Sequence, residues 1–154
     1  MKIKWKALIV NLLIPLAIGG LTALLTRNSM DIYSQITKPA LAPPSILFPI
    51  VWSILYTLMG VSSYLISTSN HPDSGNALFI YALQLIVNFI WPLVFFNGQM
   101  FWIAFATILL LWALIIIMIR RFYEIRPLAA YLQIPYLVWV TFAAYLNLMI
   151  AILN

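Results

Sequence analysis

From Met100 to Ile119 the chain reads MFWIAFATILLLWALIIIMI, twenty consecutive positions without a charged side chain. A helix needs about 20 apolar residues to cross the hydrocarbon core of a bilayer, and this run supplies them in one piece. Four more runs are of the same kind: Trp5 to Thr26, Ile46 to Ser67, Ala77 to Phe96 and Leu128 to Leu153. Strands of a transmembrane barrel would show alternating segments of about ten residues. Runs this long and continuous specify helices instead. The expected fold class is an all-α integral membrane protein, a five-transmembrane-helix bundle forming a single membrane domain over residues 1–154.

Composition closes off the alternatives. Of the 154 residues 65% are hydrophobic and 7% charged, whereas soluble domains run nearer ~45–50% and ~25%. Three acids and eight bases cannot cover the surface of a globule, and disorder requires the opposite composition. The net charge of +5 is broken up by apolar runs. It offers no basic face, so no nucleic acid is expected as a partner; it orients the chain in the lipid bilayer and attracts anionic head groups. With no cysteine, disulfides, thiolate metal sites and cysteine nucleophiles are excluded. Lys2, Lys4 and Lys6 at the start of the first run, with Ala17-Ile18-Gly19 further on, are compatible with a cleaved signal peptide. Because the run continues to Leu25 it is long enough to span, and an uncleaved anchor is expected.

Connections follow from the breakers. Asn97-Gly98-Gln99 reads as a tight turn joining spans three and four, Ser69 to Asn76 as a polar turn, and Arg120 to Pro127 as a basic connector. The loop from Arg27 to Pro44 is the longest and is stiffened by Pro39, Pro43 and Pro44. Such a loop is either a lid over a site or a passive crossover. With the amino terminus inside, Lys2, Lys4, Lys6, Arg120, Arg121 and Arg126 face inward against Arg27 and Lys38 outside. The positive-inside rule then predicts a multi-pass protein with N-in, C-out topology.

Asp31, Asp73 and Glu124 are expected in loops, and apart from Lys6 at the very start of the first run no span as drawn holds a carboxylate, lysine, arginine or histidine. Ion-coupled transport normally needs an ionisable group in the bilayer, and serine hydrolysis needs a base beside its nucleophile. His71 sits in a polar turn, a solvated histidine rather than a metal ligand. No metal site is expected. What the spans carry is rings and amides. Gln84, Asn88, Trp91 and Phe95 share one helix face, which should turn inward, either to line a pocket or to hydrogen-bond neighbouring helices. Trp52, Tyr56 and Ser63 have compatible spacing on the second span, as have Trp139, Ala143, Leu146 and Asn147 on the fifth. Trp5, Trp102 and Tyr123 fit interfacial anchors. Pro15, Pro49, Pro92 and Pro135 can kink their helices and widen a cavity. A pocket of rings with few polar groups suits a flat apolar ligand; porphyrins, sterols and aromatic drugs fit that description equally.

Three segments are recognisable. Lys38-Pro39-Ala40-Leu41-Ala42-Pro43-Pro44 followed by Pro49-Ile50-Val51-Trp52-Ser53-Ile54-Leu55-Tyr56 resembles the loop and second helix of the translocator-protein family, also called TspO, tryptophan-rich sensory proteins or peripheral benzodiazepine receptors. The stretches Ala82 to Phe96 and Pro135 to Asn147 are similar to its third and fifth helices. The resemblance runs from about Pro15 to Asn154 and fits a bacterial-type member.

It implies a homodimer whose pocket, under the first loop, binds protoporphyrin IX or related tetrapyrroles and isoquinoline carboxamide or benzodiazepine-type ligands, with no cofactor required. By the same resemblance Tyr33 is the loop tyrosine over the pocket, and Trp52 and Trp139 match two tryptophans linked to porphyrin degradation. Tyr56, Asn88, Trp91, Ala143 and Leu146 resemble pocket-lining positions, with Gln84 a further ligand-binding candidate from its shared helix face, and Trp102 matches a tryptophan near the drug ligand in animal relatives. Leu41 replaces a frequent loop tryptophan, and the sterol motif of the animal proteins is missing after Leu146. Three functions stand in order: a tetrapyrrole receptor or sensor in the cell membrane, an enzyme-like light- and oxygen-dependent porphyrin degradation at Trp52 and Trp139, and a carrier of tetrapyrroles or other amphipaths. The carrier ranks last because the chain lacks paired inverted halves. A small-xxx-small pair, Gly19 and Ala23, would permit close helix approach in a dimer.

Overall fold

The computed structural model describes residues 2–154. Its helices are α1 (Trp5–Thr26), α2 (Asp31–Gln35), α3 (Leu47–Ser67), α4 (Ser74–Pro92), α5 (Phe101–Ile125), α6 (Pro127–Leu132) and α7 (Ile134–Leu153). There is no strand among the described residues. Five stretches are long and apolar enough to cross a membrane: Trp5–Ser29, Leu47–Ser67, Ser74–Asn97, Phe101–Ile125 and Pro127–Leu153. The protein is an all-α, multi-pass membrane bundle.

Helix ends fall where the backbone chemistry changes. Pro92 has no N–H to give the carbonyl one turn back, and α4 passes there into a π-helical turn, Leu93–Asn97, closed by Gly98 N–H donating to Leu93 O at 2.9 Å. Pro135 acts likewise on the last span, which breaks at Gln133 into α6 and α7. The fourth span continues past Ile119 to Ile125, so most of the connector expected at Arg120 to Pro127 is helix and Glu124 is helical. The cause is burial. Ile115, Met118 and Phe122 continue one stripe at helical spacing, each 0% exposed. Lys6 likewise rides on the first turn of α1.

Around the bundle α1 packs on α3 and α4, α3 packs on α4 and α6, and α5 packs on α4, α6 and α7. The α1–α3 crossing is tight at Gly60, where an added Cβ would lie 2.8 Å from Leu12 Cα. Beside it Ser63 donates to Asn11 Oδ1 at 2.9 Å, a side-chain bond of the kind that ties helices where water is scarce. Ser62 donates to Ala129 O at 2.7 Å and fixes α6 to α3.

The long loop folds back on the end of the bundle opposite the amino terminus. Thr37 N–H donates to Asn154 Oδ1 at 3.0 Å, and Asn154 Nδ2 donates to Thr37 O at 2.8 Å. Arg27–Ser29 forms a 3₁₀ turn, and α2 carries Tyr33 inward to 4% exposure.

Candidate functional site

Beneath that loop lies a cavity of about 550 Å³, within the roughly 300–1,000 Å³ usual for small-molecule sites. Its walls come from the loop-side halves of α1 and α3, the end of α4 with the π-turn, and the middle of α7. Of the residues expected there, Trp52, Tyr56, Trp91, Trp139 and Ala143 line it. Trp52 stacks on Tyr56 with ring centroids 5.5 Å apart. Rings held in such offset contact make a flat apolar wall of fixed orientation.

Tyr33 sits one layer out. Its hydroxyl donates to Pro43 O at 2.7 Å, and its ring meets Phe48 edge-on at 5.1 Å. Phe48 lines the cavity and touches Trp139 at 5.9 Å. Lys38 Nζ donates to Tyr33 O at 2.6 Å and lies 4.8 Å from its ring centroid. Burial pushes the Tyr33 phenol above its ordinary pKa, so it remains a hydrogen-bond donor that pins the loop over the cavity.

Asn88 and Gln84 stand behind the wall and do not line the cavity. Tyr56 donates to Asn88 Oδ1 at 2.7 Å, Asn88 Nδ2 donates to Tyr136 Oη at 2.7 Å, and Tyr136 donates to Gln84 Oε1 at 2.6 Å. Of the two readings of the amide face, this geometry is the interhelical one. Asn88 reaches the cavity only through Tyr56, which makes it a positioning residue. Trp91 is anchored the same way, its Nε1 donating to Asn147 Oδ1 at 2.9 Å.

Leu146 is buried one turn beyond Ala143 without lining the cavity. Trp102, at 59% exposure on the first turn of α5, does not line it, in keeping with an interfacial anchor. Gly19 and Ala23 both border the cavity, Gly19 half-buried and Ala23 exposed. A Cβ on Gly19 would fall 2.5 Å from the Tyr56 ring, so this glycine makes room inside the bundle rather than on a face offered to a second copy.

Of the polar handles of the cavity, the sequence singled out Trp139 only as a ring, and Arg27 not at all. Arg27 lines the mouth; as a single charge in a topology count it gave no sign of pointing there. Trp139 Nε1–H is buried without a partner. Both are donors. Phe48 was legible in principle, four residues before Trp52 and so on the same face.

A profile of the TspO/MBR family matches residues 11–153. The chain belongs to the TspO/MBR family. It is 36% identical over 124 residues to a tryptophan-rich protein TspO of Chlorobaculum tepidum, covering 79% of this chain and 78% of the relative. It is 34% identical to a tryptophan-rich sensory protein of Cereibacter sphaeroides, covering 75% of this chain and 72% of that one. A translocator protein of Ovis aries is 36% identical over 118 residues, 75% of this chain and 70% of the relative. Against this TspO/MBR background, the resemblance drawn from the loop and three helix motifs extends to nearly the whole chain.

Among the described residues, five buried side-chain atoms lack hydrogen-bond partners: Tyr81 Oη, Gln84 Nε2, Gln133 Nε2, Gln133 Oε1 and Trp139 Nε1. Each such group costs roughly 1–3 kcal/mol when left unmet. Trp139 Nε1 belongs to the cavity wall. The other four lie deeper.

Proposed function

We propose that the cavity is the receptor site for a flat, carboxylate-bearing aromatic of the tetrapyrrole class, protoporphyrin IX being the representative, in a membrane receptor or sensor oriented N-in, C-out in the cell membrane. The observation that carries this reading is a chamber of about 550 Å³ walled by Trp52, Tyr56, Trp91 and Trp139 with Arg27 at its mouth. The rings supply apolar contact area; the guanidinium would pair with a carboxylate at the macrocycle edge. The partnerless Trp139 N–H would donate to a carbonyl or carboxylate oxygen. Isoquinoline carboxamide and benzodiazepine-type ligands, flat and carbonyl-bearing, would use the same rings and donor without needing Arg27.

The test is to titrate the protein with protoporphyrin IX and with its dimethyl ester. Wild type should prefer the free acid, and Arg27→Gln should lose that preference while binding the ester equally well. Equal preference in both proteins sinks the role given to Arg27.

A second reading, light- and oxygen-dependent degradation of the bound porphyrin, is favoured by one feature. Trp52 and Trp139, both oxidisable rings, line the same chamber. Absorbance of the bound porphyrin under illumination should then fall in wild type and persist in Trp52→Phe and Trp139→Phe. Homodimer formation is a proposal on family grounds only, Gly19 being packed against Tyr56 within the bundle.

A further inference from the structure

A second groove, of about 380 Å³, opens on the outside of the bundle where α5 ends and α6 and α7 begin. The Ser62–Ala129 bond ties this region to the end of α3, and Tyr64 on that end accepts from Lys4 N–H at 2.9 Å, so the groove lies at the amino-terminal end of the bundle. One wall is the last turns of α5, with Ile119, Arg120, Tyr123 and Glu124; Tyr131 and Ile134 stand across from it. The Tyr123 and Tyr131 rings meet edge to face at 6.1 Å and are 53% and 58% exposed. Arg120 and Glu124 are also exposed, and among the described residues neither is held in an ion pair with another side chain. The spanning segment containing α5 ends at Ile125, so this stretch crosses the edge of the hydrocarbon. Four residues at ~1.5 Å each put Glu124 about 6 Å further toward water than Arg120. On the α7 side Ile134 and, one turn deeper, Val138 continue the groove as an apolar track.

Outward from the hydrocarbon, the groove therefore offers apolar surface, then a guanidinium, then a carboxylate flanked by two tyrosine rings. A phospholipid with an ethanolamine headgroup presents acyl chain, phosphate and ammonium in the same order. An arginine lays its stem along apolar surface and lifts its head to the phosphate level, where it forms charge-assisted hydrogen bonds. A headgroup that is only anionic would set a like charge against Glu124, which is unfavourable. A quaternary ammonium could use the ring faces, but it has no N–H to donate to the carboxylate. We propose that this groove binds a phospholipid with a primary ammonium headgroup, its phosphate held by Arg120 and its ammonium by Glu124 beside the Tyr123 and Tyr131 rings. The groove shares no lining residue with the aromatic cavity, so the site is independent of what that cavity binds.

Native mass spectrometry of the full-length protein, released from detergent micelles after titration with lipid, tests this. The probes are phosphatidylethanolamine, phosphatidylglycerol and phosphatidylcholine with identical acyl chains. Wild type should bind one phosphatidylethanolamine about fivefold more tightly than either of the others, the scale of one favourable ion pair. Glu124→Gln should remove that preference over phosphatidylglycerol, and Arg120→Gln should weaken phosphatidylethanolamine binding several-fold. Arg121→Gln removes an equally exposed charge that does not line the groove, and should leave binding unchanged. Helical circular dichroism checks that each variant is folded, and the wild-type ranking needs no variant at all. Equal binding of the three lipids would overturn the site, as would tightest binding of phosphatidylglycerol, which means a merely basic surface. An Arg121→Gln loss as large as that of Arg120→Gln would overturn it too, because the attraction would then be diffuse charge.

Discussion

The bond between Tyr56 and Asn88 is the hinge between cavity wall and bundle interior, and a double-mutant cycle measures it. Asn88→Leu removes the acceptor of the Tyr56 hydroxyl at 2.7 Å and the donor to Tyr136 at 2.7 Å. Tyr136 keeps its bond to Gln84 at 2.6 Å, so only the Tyr56 O–H is fully stranded. Both phenols are buried. A stranded buried hydroxyl costs ~1–3 kcal/mol and the weakened Tyr136 contact ~0.5–1.5, giving roughly 2–4 kcal/mol for the variant. Tyr56→Phe strands the amide oxygen instead, at ~1–3 kcal/mol. In the double variant neither orphan remains, so its loss should fall short of the sum by about 1–2 kcal/mol, within the usual range for contacting pairs. Unfolding free energies in mixed micelles supply all four corners. Additivity within ~0.3–0.5 kcal/mol is the behaviour of independent sites, and would refute the bond and with it the positioning role of Asn88.

Three further outcomes follow from other parts of the structure. Gly60→Ala should destabilise the bundle by ~1–3 kcal/mol, because its Cβ would meet backbone, Leu12 Cα at 2.8 Å and Asn11 O at 2.9 Å, which cannot rotate away; an unchanged thermal midpoint would show that α1 is free to shift. The loop should loosen at high pH: with the folded Tyr33 pKa raised by burial, its contribution is complete below the free phenol value of about 10 and is lost as pH rises through the folded value. Hydrogen exchange over residues 31–46 should therefore accelerate in that alkaline window beyond the base-catalysed rate, and Tyr33→Phe should abolish the excess. A tag after Asn154 should be reached from outside intact cells and one before Lys2 should not, given six basic residues on one side against Arg27 and Lys38 on the other; the reverse labelling would invert the assigned topology.

The sequence was most informative where one physical rule acts alone. Hydrocarbon thickness fixes the length of a spanning helix, so the first span could be drawn as Trp5 to Thr26, where α1 lies. Where two rules competed, the reading failed. Arg120 and Arg121 looked like a connector, yet the apolar register through Phe122 carries α5 to Ile125. Of the site, the wall rings Trp52, Trp91 and Trp139 were visible because tryptophans on inward stripes are few. Their hydrogen-bond partners were not. Tyr136 joins Asn88 to Gln84 across the bundle, and no spacing within one helix discloses which residue faces it from another. Gln133 passed unnoticed for a related reason: near the start of a span a lone amide looks solvated, and only the α6–α7 break shows it turned inward at 0% exposure.

Titration of the purified protein with protoporphyrin IX in the dark, followed by tryptophan fluorescence, tests the receptor site most directly. Trp52, Trp91 and Trp139 line the cavity, so wild type should show saturable quenching. Ala143→Phe, which fills space in that wall, should abolish the saturable part while the helical circular dichroism stays unchanged. Quenching that remains linear and equal to that of tryptophan in empty micelles, or saturable quenching untouched by Ala143→Phe, would contradict a porphyrin site in this cavity.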